Sequence, residues 1–195
     1  YHEHVAYHSV KPLQKFFANN EMDLINVERI SSHGGSLRGV AQLKSGPHTK
    51  QVSVDKLIAL EAIRGIDKAK TFEAFRRHID KIKTKLTGQL MSLKAGGKTI
   101  AGFGAPAKAT TLMYHFGIGP DLIDFIVDDS PLKQNLFSPG THIPVLPSTA
   151  IYSKKPDVVV ILAWNFAEPI IRNHSRYLEQ GGQFIVPLPK VEVFD

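Results

Sequence analysis

A chain of 195 residues with an ordinary apolar share of 43% holds material for one or two globular domains. It has no cysteine, which excludes disulfides and cysteine-ligated zinc within these residues and fits a cytoplasmic protein; no apolar run is long enough to span a bilayer, and none reads as a signal peptide. The net charge of +6 favours anionic partners, but the basic residues are scattered among acidic ones without a basic–aromatic stripe, so a phosphorylated small molecule is expected and nucleic acid is not.

The chain opens on Tyr1 and reads as a piece of something longer. Tyr1-His2-Glu3-His4 is its densest titratable cluster. Imidazole beside a carboxylate and a phenol suits general acid–base chemistry near neutral pH, because the neighbours tune the ring. A polar strand end is the plain alternative, and with no third ligand in view a metal is not expected. A helix follows over residues 10–19, then two antiparallel strands over 24–30 and 36–43. The intervening His33-Gly34-Gly35-Ser36-Leu37-Arg38 is either a plain turn or a segment that presents Arg38 and backbone amides to a ligand. One helix and one hairpin bury too little apolar surface to stand alone. Residues 1–46 therefore read as the end of a sheet domain whose other strands lie upstream.

Gly46-Pro47 breaks the pattern, and residues 47–97 read as helical. Val54, Leu57, Ile58 and Leu60 mark a first helix that Gly65 ends. Phe72, Phe75, Ile79, Ile82, Leu86 and Leu93 recur on one face of a longer second helix, which Gly96-Gly97 stops. That face either packs on a sheet, joins two domains or forms the seam of a homodimer.

From Lys98 on, short apolar strands alternate with helices, which predicts an α/β fold with a doubly wound parallel sheet over residues 98–195. Ile100 and Ala101 enter a Gly102-x-Gly104-x-x-Ala107 turn that opens into a helix, the layout of a phosphate-binding βα unit. Pro106 stands at the helix start, where its missing N–H costs nothing, and Lys108 adds a cation. Later strands are expected over 122–127, 143–146 (an edge, because of Pro144), 157–163 and 183–186, with a helix over 168–180. Ligands of such sheets sit at the carboxyl ends of the strands, which would bring Gly102 to Lys108 beside Trp164 and Asn165, with Asp128 on the flank. Asp128 either takes ribose hydroxyls or merely starts a turn. Asn165 either reaches a nucleotide or caps the following helix, and Trp164 is either core or a stacking platform.

Six motifs occur in order: Tyr1-His2-Glu3-His4, His33 to Arg38, Gly102-Phe103-Gly104-Ala105-Pro106-Ala107-Lys108, Asp128-Asp129-Ser130-Pro131 with Lys133-Gln134, Pro139-Gly140-Thr141-His142-Ile143-Pro144, and Leu162-Ala163-Trp164-Asn165-Phe166. With them the chain resembles the C-terminal part of the nucleotide-sugar (dTDP-keto-deoxyhexose) C-methyltransferases over nearly its whole length. Asn135 departs from the pattern, where glycine is frequent, but asparagine also tolerates left-handed backbone. The resemblance implies a tail of an S-adenosylmethionine (SAM) methyltransferase domain over 1–46, a helical connector over 47–97 and a Rossmann-like domain over 98–195. SAM would be held by the upstream domain, and zinc only by an N-terminal domain, both outside this chain. The implied substrate is a dTDP-linked 4-keto sugar. His4, supported by Glu3 and Tyr1, would remove the proton next to the carbonyl, and the resulting enolate would take the methyl group. Gly102, Gly104, Ala105, Pro106, Lys108, Asp128, Asn165 and Arg38 are the implied substrate-binding residues. The alternatives are an NAD(P)-binding oxidoreductase module on the same glycine turn and a non-catalytic assembly module on the long helix.

Overall fold

The computed structural model describes residues 6–195, and of His33 only the backbone. The catalytic cluster expected at Tyr1, Glu3 and His4 lies outside the described residues. The chain divides into two compact units, one running as far as Arg77 and the other from His78 to Asp195.

The first unit contains α1 (Val10–Asn19), the antiparallel pair β1 (Met22–Ile30) and β2 (Ser36–Leu43), and α2 (Val52–Arg64). The strands pair from Met22 opposite Leu43 to Ile30 opposite Ser36, with a bulge between Leu24 and Asn26. Both helices pack on β1 through Val10, Leu24, Val27 and Val54, with Leu13, Phe17, Leu57 and Ile58 around them. The N–H groups of Val10 and Lys11 donate to the Glu61 carboxylate at 2.5 and 3.1 Å, so a carboxylate on α2 fills the positive end of α1. Gly65 ends α2 at φ +61, as a left-handed cap requires. β2 leaves Leu37, Val40 and Leu43 exposed.

α3 (Ala69–Ala95) runs across the division between the units. The apolar face read from the sequence is buried only in its second half, through Ile82 and Leu86, which Leu90 joins, whereas Phe72 and Phe75 are exposed.

The second unit is a Rossmann-like α/β fold. Its sheet has the order β5 (Val145–Pro147), β4 (Phe125–Asp128), β3 (Ile100–Phe103), β6 (Val158–Ile161), β7 (Gln183–Val186), β8 (Glu192–Phe194). The first five strands are parallel and β8 returns antiparallel on β7. Alternate residues point to opposite faces. Ile100, Val158, Val160 and Ile185 meet α3 and α4 (Ala107–Phe116). Ala101, Phe103, Val159, Ile161 and Phe184 meet α5 (Ala150–Lys154), α6 (Ala167–Asn173) and α7 (Ser175–Glu179). Strand order reverses between β3 and β6, so their carboxyl ends flank the switch point.

Several details differ from expectation, among them that β4 begins at Phe125 rather than at 122. The edge strand begins at Val145 rather than 143, and it tolerates Pro147 because its outer side needs no ladder donor there. The helix expected over 168–180 breaks at His174, where α7 turns to bury Tyr177 and lets its hydroxyl donate to Pro156 O at 2.7 Å. The short α5 and β8 carry too little periodicity to be read from sequence.

Candidate functional site

The turn after β3 is shaped by close backbone approach. A methyl group at Gly102 would lie 2.8 Å from Leu162 Cδ1, and one at Gly104 would lie 2.5 Å from Ala163 Cβ. Gly104 also has φ +91, a backbone that glycine adopts without strain. Its N–H donates to Val127 O at 2.7 Å, while the Ala163 N–H donates to Phe103 O at 3.1 Å. The turn is thus bonded to both neighbouring strands. Pro106 is the N-cap of α4, with φ −74 and ψ 158.

Asp128 ends β4 and is buried, at 7% exposure. Its carboxylate accepts the Ala105 N–H at 2.7 Å, the Ser130 N–H at 2.8 Å and the Lys133 ammonium at 3.2 Å. Its carbonyl accepts the Gln134 side-chain amide at 3.0 Å. Of the two roles open for Asp128, ribose contact or turn start, the geometry matches the second: the carboxylate turns inward and ties the turn after β3 to the turn after β4. Asn135, close behind, has φ +64, which explains why glycine or asparagine suits that position.

Lys108 stands on the first turn of α4. Its ammonium lies 4.5 Å from the centre of the Trp164 ring, on the short 3-10 turn Trp164–Phe166 that follows β6. A cation over an indole face is attracted by the ring quadrupole. Among the described residues no carboxylate forms an ion pair with Lys108, and burial lowers its pKa. Asn165 is the next residue of the same turn.

The structure thus brings Gly102, Gly104, Ala105, Pro106, Lys108, Asp128 and Trp164 together at the carboxyl ends of β3, β4 and β6. Arg38 belongs to the first unit, where it pairs with Glu28 at 2.5 Å; hydrogen bonds from Arg38 and Asn26 hold that carboxyl below the usual range.

Sequence reasoning did not assign roles to Lys133, Gln134 or Ala163. The first two carry a signal, since both fall within one turn of the acidic end of β4. His174 and Tyr152 carried none. Tyr152 Oη lies 2.9 Å from His174 Nδ1, the two rings of His174 and Phe103 are 5.0 Å apart, and burial pushes the imidazole pKa down. Among the described residues no group of three or more histidine, aspartate or glutamate side chains is placed to hold a metal ion, and no helix is long and apolar enough to cross a membrane.

The C-methyltransferase C-terminal domain family matches residues 31–189 of the chain. The C-methyltransferase NovU of Streptomyces niveus is 33% identical over 193 residues, which covers 99% of this chain and 46% of NovU. The chain spans about half the length of the curated relative it matches.

Proposed function

This chain belongs to the C-methyltransferase C-terminal domain family, and from that premise we propose that it is part of a SAM-dependent enzyme that methylates the carbon beside the keto group of a nucleotide-linked deoxysugar. Residues 1–46 are the tail of the methyltransferase domain, 47–97 the helical connector and 98–195 the part that binds the sugar nucleotide. The observation that carries this reading is Lys108, a half-buried cation with an aromatic face below it and no carboxylate partner among the described residues. Such a group is a receptor for an anion, and a dTDP diphosphate supplies one.

The first helical N–H groups of α4, at Ala107 and Lys108, have no acceptor within the helix and point the same way as its positive end. They and the Lys108 ammonium engage a phosphate. Asn165, on the turn after β6, contacts the remainder of the sugar nucleotide. His4, with Glu3 and Tyr1 tuning it, takes the proton from the carbon next to the carbonyl, because the carbonyl acidifies that C–H bond. SAM supplies the methyl group and is held by the part of the protein upstream. The residues here do not fit SAM, since the Gly104 and Ala105 N–H groups and the Asp128 carboxylate are all engaged internally.

Calorimetric titration of the chain with dTDP, UDP, NADH and SAM tests the reading. Binding of dTDP or UDP is expected, weakened about tenfold or more by Lys108→Met, since a charge-assisted contact is worth roughly 1.5–3 kcal/mol. Affinity unchanged in Lys108→Met would remove Lys108 from the site. Binding of NADH alone would transfer the function to dinucleotide chemistry.

A further inference from the structure

A glycine turn that cradles a pyrophosphate does so with free backbone N–H groups at the turn and the start of the helix. Here three successive positions have none to offer. The Gly104 N–H is bonded to Val127 O at 2.7 Å, the Ala105 N–H to Asp128 Oδ2 at 2.7 Å, and Pro106 has no N–H. On its Cα side Gly104 is packed against Ala163, where a methyl would stand 2.5 Å from Ala163 Cβ. The Asp128 carboxylate is buried against this turn, with the Lys133 ammonium as its counter-ion at 3.2 Å. A phosphate approaching Ala105 meets a negative charge that already holds the donor.

We propose that Asp128 is the resident anion of the glycine turn, a positioning and specificity-determining residue. It fixes Ala105 and the start of α4, and it excludes a second phosphate from the turn. An anionic ligand is confined to the Ala107–Lys108 end of α4. The site then accepts the diphosphate of a nucleotide sugar from that end and rejects dinucleotides, whose pyrophosphate must lie across the turn. The identity of the accepted ligand rests on the sugar-nucleotide reading, whereas the exclusion rests on the Asp128 geometry.

Asp128→Asn keeps the side-chain shape and an acceptor for Ala105 while removing the charge. Asp128→Glu keeps the charge. Inorganic pyrophosphate and NADH are titrated against the 195-residue chain and both variants, and dTDP against the unmodified chain. Pyrophosphate and NADH are expected to bind Asp128→Asn about tenfold or more tightly than the unmodified chain, since a buried like charge at contact distance opposes them; Asp128→Glu is expected to show no gain. Pyrophosphate binding no tighter in a folded Asp128→Asn would overturn the proposal. A second measurement needs no variant. In the 15N-labelled unmodified chain at millimolar pyrophosphate the largest amide shifts are expected at Ala107 and Lys108, and a larger shift at Ala105 would overturn the proposal. Failure of dTDP to bind, with the Asp128→Asn gain and the smaller shift at Ala105 both observed, would remove the sugar-nucleotide reading and leave the role of Asp128 standing.

Discussion

Gly104→Ala isolates the contribution of backbone packing at the glycine turn. The new methyl would lie 2.5 Å from Ala163 Cβ and 3.2 Å from the Ala163 backbone nitrogen, at φ +91. Ala163 has little room to yield, because its N–H is bonded to Phe103 O and it follows a fully buried strand. The positive φ costs about 1–3 kcal/mol, and displacing packed backbone adds about 1–3 kcal/mol. A loss of roughly 2–6 kcal/mol is expected. Gly140→Ala is the control. Its methyl would stand nominally 1.7 Å from the Tyr114 hydroxyl oxygen, a closer approach, at φ +73. Tyr114 is 61% exposed, so its ring swings into water and only the backbone cost of about 1–2 kcal/mol remains. The single tryptophan, Trp164, directly follows Ala163, so urea unfolding followed by its fluorescence reads the second unit at the perturbed position. The midpoint is expected to fall at least twice as far in Gly104→Ala. An equal or larger fall in Gly140→Ala would show that positive φ alone, and not the backbone obstruction at Ala163, sets the cost.

Leu90→Ala, at a fully buried position of α3, is expected to lose about 2–5 kcal/mol, while Phe72→Ala on the exposed half changes stability by only about 0.5 kcal/mol; melting followed by circular dichroism separates them. Burial pushes the Tyr177 phenol up to about 12. The unfolded chain releases that proton from its ordinary value of about 10, so stability falls as pH rises between the two, by roughly 2–3 kcal/mol in full. Tyr177→Phe should flatten this window and cost about 1 kcal/mol near neutral pH, because Pro156 O loses its donor. Urea midpoints at several alkaline pH values check this, and profiles parallel to the unmodified chain would contradict it. In the full-length enzyme His4→Ala should lower turnover about 100-fold or more with dTDP affinity kept; methyl transfer at the normal rate would remove His4 from the mechanism.

The second unit was largely legible because its strands are short apolar runs between glycine, proline and aspartate turns. Val158 to Ile161 is the short β-branched apolar run that a strand buried on both faces needs. Alternation of strand and helix then leaves few topologies, and β3 beside β6 follows from the crossover rule. α5 and β8 escaped because five and three residues do not establish a period. Periodicity also named the apolar face of α3 without saying where along it a partner lies. Ile82, Leu86 and Leu90 are covered by α4 and by the sheet face that carries Ile100, Val158, Val160 and Ile185, whereas Phe72 and Phe75 are exposed among the described residues.

By itself the sequence determined which groups could meet. Gly102 and Gly104 at the end of a buried strand, a lysine in the first turn of the next helix and a tryptophan after the crossover strand converge at the carboxyl ends of the strands in a doubly wound fold. Tertiary structure alone decided how those groups are paired. The parallel register that sets Gly102 beside Ile126 and Phe103 beside Val127 brings Asp128 within 2.7 Å of the Ala105 N–H. A hydrogen bond depends on tenths of an ångström and on direction, and residue order carries neither. The same composition of donors and acceptors would describe an open phosphate cradle; the register of two strands ties up the Ala105 N–H, and the Lys108 ammonium stays over the Trp164 ring.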